Sequence, residues 1–162
     1  MEILKKWSAL AVLAAALLAT LAGCQTTRRV LNTETSAELQ FTIAKDVNPD
    51  SDNRPSPIVI SVYVLKDARQ FEREDFLSLY EAAAQRLGPD LVRKIRLREF
   101  VPGETRTENI PLDPSVHYLG VVAEYSQYNK AQTIVVLPIT DHTNNEFHLR
   151  AEHLRLVNAD SD

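Results

Sequence analysis

The chain has 162 residues, of which 44% are hydrophobic, and it carries 18 basic against 22 acidic side chains, a net charge of −4. This length suits a single domain with an apolar core, and the acidic balance argues against a nucleic-acid-binding surface, which would be basic. The chain contains a single cysteine, so it cannot form an internal disulfide bond.

Residues 1–23 have the features of a secretory signal peptide. Lys5 and Lys6 form a basic start, residues 9–21 are apolar, and small residues precede Cys24. A run of this length falls short of the roughly twenty residues that a membrane-spanning helix needs, so we expect the segment to be removed. Its removal leaves 139 residues.

The stretch Leu21-Ala22-Gly23-Cys24 resembles the bacterial lipobox, in which the cysteine is acylated. An ordinary signal peptide followed by an incidental cysteine is the alternative. Several acyl chains would hold the domain on a membrane permanently, because each buried methylene contributes about 0.8 kcal/mol. In Gram-negative bacteria an aspartate after the cysteine is the usual signal for inner-membrane retention. Gln25 occupies that position here, which implies the outer membrane with the domain in the periplasm.

Residues 24–36 are predicted to form the acylated cysteine and a flexible tether, because they are polar and lack periodicity. A coil of about a dozen residues would hold the domain, residues 37–162, on the order of 20 Å from the membrane. In that domain, Leu39, Phe41 and Ile43 alternate with polar residues, which predicts a half-buried first strand.

The segment 46–57 (DVNPDSDNRPSP) is rich in turn-forming residues and is predicted to be a long, rigid loop. The β-branched run 58–65 predicts a central strand.

A helix is predicted over 69–88, where the acidic Glu72, Glu74 and Asp75 favour its start and Gly88-Pro89 favours its end. Its apolar stripe consists of Phe76, Leu79, Tyr80, Ala83 and Leu87. The charged residues of this segment are interpreted as the solvated face.

Further strands are predicted at 94–100, 105–112, 117–125, 133–138 and 145–157, with a turn at Pro102-Gly103. In the last strand the apolar residues lie at odd-numbered positions before His153 and at even-numbered positions after it. One extra residue would keep them on the same face, which predicts a β-bulge near His153. Seven or so short strands with one inserted helix indicate an all-β fold, an antiparallel two-sheet β-sandwich.

Little in the sequence indicates catalysis. Gly88, Gly103 and Gly120 are too far apart for a phosphate-binding loop. The four histidines show no metal-binding spacing, so no metal or cofactor is expected. No GxSxG motif is present, although a Ser-His-Asp triad assembled in space stays open.

The candidate functional segment is the loop 48–57. It is longer than closure of a hairpin requires, and loops on rigid scaffolds commonly carry recognition. A merely tolerated surface insertion is the alternative. Arg54 is the first choice for an energetic anchor, because a guanidinium offers several donors. Its alternative role is a hydrogen bond that holds the loop.

Several segments behind the lipobox, in this order, resemble the TssJ (SciN) family of outer-membrane lipoproteins of type VI secretion systems. They are Asn48-Pro49-Asp50, Arg54-Pro55-Ser56-Pro57-Ile58-Val59, Val62-Tyr63-Val64-Leu65-Lys66-Asp67, Phe71, Asp75-Phe76, Leu87-Gly88, Pro102-Gly103-Glu104 and Tyr118-Leu119-Gly120-Val121-Val122-Ala123. The resemblance implies a transthyretin-like sandwich with an added helix. It also implies a non-catalytic role, in which the protein anchors the trans-envelope complex by binding the periplasmic C-terminal region of the inner-membrane protein TssM.

In that family the loop between the first two strands contacts the partner. The resemblance therefore implies that the partner-binding residues are Asn48, Pro49, Asp50, Ser51, Asp52, Asn53, Arg54 and Pro55. Neither nucleic acid nor a small-molecule substrate is expected. The alternative is a periplasmic lipoprotein enzyme or small-ligand carrier on the same sandwich, since fold does not fix function.

Overall fold

The structure, a computed structural model, describes residues 34–161, which form a β-sandwich with one α-helix and confirm the predicted fold class. The strands of this region are β1 (Thr35–Ile43), β2 (Ile60–Leu65), β3 (Leu91–Arg96), β4 (Thr105–Leu112), β5 (Tyr118–Ala123), β6 (Ile134–Pro138), β7 (Asn144–Glu152) and β8 (Arg155–Asn158). The order of strands is β4-β1-β7-β8 in the first sheet and β3-β2-β5-β6 in the second.

Strand β1 lies inside the first sheet and shows the predicted alternation, with Leu39 and Phe41 fully buried. It begins at Thr35, so Thr35 and Ser36, which were assigned to the tether, belong to the strand and pair with β4. β1 runs antiparallel to β4 but parallel to β7, which corrects the expectation of a wholly antiparallel sandwich. Alternation reports which face a side chain occupies and carries no information on strand direction.

Two apolar clusters stabilise the fold. The larger cluster lies between the sheets and includes Leu39, Phe41 and Phe100. The ring centroids of Phe41 and Phe100 are 5.1 Å apart. The smaller cluster lies between the outer face of the second sheet and the helix, and it includes Tyr63 and Phe71. β2 is buried along its whole length because it contributes to both clusters.

Helix α1 (Phe76–Leu87) is shorter than predicted, because a separate 3₁₀ turn (Phe71–Arg73) precedes it. Asp75 has an extended backbone, and its carboxylate accepts a hydrogen bond of 2.8 Å from the backbone N–H of Ser78. This contact caps the helix by pairing one of its free N–H groups. Gly88 ends the helix with φ +53°, a conformation that favours glycine.

Leu79, Ala83 and Leu87 are buried on the helix stripe as predicted, and Phe76 is half-buried. The placement of Tyr80 on the buried stripe was wrong, since its side chain is 51% exposed. Tyr80 instead stacks on Phe76 at the edge of the stripe, with ring centroids 5.6 Å apart.

Glu74 also differs from its predicted position on a solvated face. Its side chain is 8% exposed and lies 3.9 Å from the Arg86 guanidinium, and it accepts a hydrogen bond from Gln70. The residue precedes the helix and joins the 3₁₀ turn to it, so its carboxylate faces inward towards α1.

The predicted bulge near His153 is instead a reversal of the chain. β7 ends at Glu152, and β8 begins at Arg155 and pairs back onto it. Ala151 lies opposite Leu156 in this hairpin, and both side chains are buried in the core. The change from odd-numbered to even-numbered apolar positions follows from this reversal.

We expect Gly120→Ala to destabilise the domain by about 1–3 kcal/mol, the usual cost of overpacking. A Cβ at Gly120 would lie 2.2 Å from the Cζ atom of Phe71, which packs over it. Urea unfolding measures the effect, with Phe71→Leu as the control. Adding Phe71→Leu to Gly120→Ala should recover part of the stability, and a Gly120→Ala variant as stable as the unmodified protein would contradict the packing described.

Candidate functional site

The candidate loop, residues 44–59, joins β1 of the first sheet to β2 of the second and is called the β1–β2 loop below. Because β1 and β2 do not pair, part of its length serves to cross between the sheets. The loop lies at the end of the sandwich where β1 ends, called the distal end. The β5–β6 loop (124–133) and the β7–β8 turn (153–154) lie at the same end, as strand directions require.

Asn48 fixes the base of the β1–β2 loop. Its side-chain amide donates to the Pro57 carbonyl oxygen at 2.8 Å and accepts from the Ser126 backbone N–H at 2.7 Å. Its own backbone N–H donates to the His153 carbonyl oxygen at 2.8 Å. Asn48 is 3% exposed and has φ +49°, a left-handed conformation that asparagine tolerates better than most residues.

A second contact joins the β1–β2 loop to the β5–β6 loop. The Gln127 side-chain amide donates to the Pro49 carbonyl oxygen at 3.0 Å. The same amide nitrogen lies 3.4 Å from the backbone carbonyl oxygen of Asp50. Sequence reasoning missed Gln127 and Ser126, which are about 78 positions away along the chain. No local pattern marks either residue.

Asp50 organises the tip of the loop. Its carboxylate accepts hydrogen bonds from the backbone N–H groups of Asp52 and Arg54, at 2.8 and 2.9 Å. The Arg54 guanidinium donates back to it from Nε at 2.8 Å and pairs with Asp52 at 3.1 Å. Arg54 therefore makes the loop-holding bonds, while its side chain remains 73% exposed.

These bonds make the tip sensitive to acid. Hydrogen bonds from the backbone N–H and then the side chain of Arg54 hold the pKa of Asp50 below its usual range. The stabilisation is therefore fully present above the pKa of the unfolded carboxyl group, about 3.9. It is lost as the pH falls through the lower folded value.

The eight predicted partner-binding residues do not share one environment. Asn48 and Pro49 are buried and Asp50 is half-buried, so they support the loop rather than present side chains. The five exposed residues are Ser51, Asp52, Asn53, Arg54 and Pro55. The accessible surface of the loop is therefore its tip.

Within residues 34–161, no three or more His, Cys, Asp or Glu side chains are grouped so that they could hold a metal ion. No helix in this part of the chain is long and apolar enough to cross a membrane. Cys24 and the signal peptide, residues 1–23, lie outside the described residues.

Residues 35–154 match the family model described as a type VI secretion lipoprotein (SciN, VasD, EvfM, TssJ). The T6SS lipoprotein TssJ1 from Pseudomonas aeruginosa has the same fold at 25% identity, with 78% of this chain and 95% of that chain covered and a TM-score of 0.73. Serratia marcescens Lip, described as a membrane-bound component of the type VI secretion system, is similar at 25% identity (77% and 97% covered, TM-score 0.71).

A chain in a structure described as the T6SS protein TssM C-terminal domain from EAEC shares the fold at 21% identity, with 76% of this chain and 97% of that chain covered and a TM-score of 0.64. At that identity the likeness concerns the fold alone. The comparison with curated proteins gives no match.

We expect Asn48→Ala to destabilise the domain, because it removes the buried Asn48 amide and its part-buried hydrogen bonds to the Ser126 N–H and the Pro57 C=O. Each such bond contributes about 0.5–1.5 kcal/mol. Asn48→Gly is the matched variant, since it loses the same bonds but tolerates positive φ. It should lie between Asn48→Ala and the unmodified protein in urea unfolding. Asp52→Ala, at the exposed tip, should have little effect. A stable Asn48→Ala variant would contradict this role for the amide.

Proposed function

The chain belongs to the TssJ family of type VI secretion lipoproteins, and on that premise we propose that it anchors the trans-envelope complex to the outer membrane. In this proposal the lipid on Cys24 holds the protein in the outer membrane, and the tip of the β1–β2 loop binds the periplasmic C-terminal region of TssM. The role is docking and involves no catalysis.

The observation that carries the proposal is the placement of the loop relative to the chain's entry into the domain. Glu34 and the start of β1 lie at the end opposite the distal end, called the proximal end. β1 has nine residues and is therefore about 30 Å long at roughly 3.4 Å per residue. A chain arriving from Cys24 thus enters on the side away from the loop, which leaves the tip free to face the periplasm.

The rigidity of the tip supports the same role. Asp50 and Arg54 close the tip through backbone and side-chain bonds, and Asn48 and Gln127 tie its base to the neighbouring loop. A loop that is already ordered loses less conformational entropy when a partner binds. Arg54 stays accessible within this arrangement and remains the proposed energetic anchor.

A small-ligand carrier would need a sizeable cavity between the sheets. That space is occupied by fully buried side chains, among them Phe41, Phe100 and Leu119. The interior therefore supports a docking module over a carrier.

We expect replacement of Ser51-Asp52-Asn53 by Gly-Ser-Gly to weaken binding to the TssM periplasmic region by tenfold or more, about 1.4 kcal/mol. The exchange removes exposed side chains and leaves the buried base in place. Isothermal titration with the purified TssM region measures the affinity.

Replacement of Asp113-Pro114-Ser115 by Gly-Ser-Gly is the length-matched control, because these residues are exposed at the proximal end. It should leave the affinity unchanged. Unchanged affinity of both the tip variant and Arg54→Ala, in folded protein, would place the partner elsewhere on the sandwich.

A separate test concerns the anchor. Cys24→Ser should abolish outer-membrane fractionation and secretion, because the acylated residue is lost. Gln25→Asp should keep the lipid but retain the protein in the inner membrane. Cell fractionation followed by immunoblotting measures both outcomes, and a Cys24→Ser variant that still fractionates with the outer membrane would contradict lipid anchoring.

A further inference from the structure

A cluster of exposed apolar side chains lies beside the start of α1. Four large hydrophobic side chains are prominently exposed within the described residues, and three of them meet here: Leu77 at 40%, Tyr80 at 51% and Tyr128 at 39%. The fourth, Val101, lies in the β3–β4 turn. Together with the half-buried Phe76, the three form what we call the aromatic patch. Clustered exposed apolar residues of this kind mark interaction sites more often than scattered ones.

The aromatic rings of the patch are stacked on one another. Phe76 lies between Tyr80 and Tyr128, with centroid distances of 5.6 and 5.1 Å and an interplanar angle of 23° in both pairs. Each ring therefore limits the motion of the next, and the exposed faces are held ready for contact. Rigid aromatic groups of this type are common at the centres of protein interfaces.

An open cleft of about 310 Å³ runs between the start of α1 and the β5–β6 loop. Leu77 and Tyr128 line it together with Ala131 and Thr133. Asp75 contributes the one charged side chain among the lining residues described. Its bonds with Ser78 hold the Asp75 pKa below the usual range, so the carboxylate is ionised at neutral pH. The cleft suits an apolar group with a cation beside it.

The patch is joined to the base of the β1–β2 loop. Tyr128 directly follows Ser126 and Gln127, which hydrogen-bond to Asn48 and Pro49. The two connected loops therefore carry both the charged tip and the aromatic patch at the distal end.

The occupant of the patch follows from its size, charge and position. Two partly exposed tyrosines and a leucine fall short of the roughly 800 Å² per partner that a stable interface buries, so the patch is too small to support a dimer of this chain alone. A lipid surface is disfavoured, because the patch lies away from the proximal end where the chain enters and the anionic Asp75 lines its cleft. A protein segment that also contacts the loop tip satisfies all three observations.

We infer that the aromatic patch is a second part of the partner-binding surface, and that it takes an apolar side chain flanked by a basic residue from the same periplasmic partner. The inference rests on the proposed function, because it assigns this patch to the partner proposed for the loop. The two elements together would give the partner an apolar contact as well as a polar one.

The test is isothermal titration of the TssM periplasmic region against single variants of the full domain. Tyr128→Ser and Leu77→Ser should each weaken binding at least fivefold. Their melting temperatures should fall only slightly, because each side chain is partly exposed and Tyr128 loses one stacking contact with Phe76. Val101→Ser, which removes a more exposed apolar side chain outside the cleft, should not change the affinity. Asp75→Asn keeps a helix cap but removes the charge, and should weaken binding two- to threefold.

The outcomes separate the two proposals. If the Gly-Ser-Gly tip variant weakens binding and neither Tyr128→Ser nor Leu77→Ser does, the patch assignment is overturned and the loop assignment stands. If the patch variants weaken binding and neither the tip variant nor Arg54→Ala does, the loop assignment fails. An equal loss of affinity in Val101→Ser would also overturn the assignment of the aromatic patch as a specific contact. Stronger binding by Asp75→Asn would overturn the proposal that a basic residue of the partner lies beside Asp75. If the unmodified protein does not bind, both proposals are overturned.

Discussion

The direction of strand β1 is the constraint on which the rest of the structure depends. β1 lies between β4 and β7, and its inward side chains fill the centre of the core between the sheets. A slip of one residue would turn Leu39 and Phe41 towards solvent, so the register is strongly fixed. With that register, Thr35 lies at the proximal end and Ile43 at the distal end. Chain entry and candidate loop are thereby separated by the length of the sandwich.

Val47 and Ile58 pack the two ends of the β1–β2 loop into the core, and buried and half-buried polar groups order the segment between them. The Asn48 amide fixes its base through one donated and one accepted bond, and the Asp50 carboxylate fixes its tip by accepting bonds on both oxygens. Such a loop holds its exposed side chains in a defined arrangement before any partner arrives. Contact with the β5–β6 loop extends this rigid surface to the aromatic rings beside α1.

Local features of the fold could be predicted from the sequence, because they depend on neighbouring residues. Alternation identified β1, and the Gly-Pro pair marked the end of α1 to within one position, whereas the start of α1 was placed seven residues too early. Strand direction, the β7–β8 reversal and the exposure of Tyr80 depend on tertiary pairing and were missed. The loop was located correctly, but the burial of Asn48 and the contact from Gln127 involve distant positions, which no spacing in the sequence encodes.

In the proposed arrangement the distal end faces the partner and the proximal end faces the membrane. Site-specific photo-crosslinking in living cells can test this orientation, with the photoreactive residue at Asp52 at the loop tip or at Ser115 at the opposite end. We expect a covalent adduct with TssM from position 52 and none from position 115. An adduct from position 115 alone, in cells that still secrete, would contradict it.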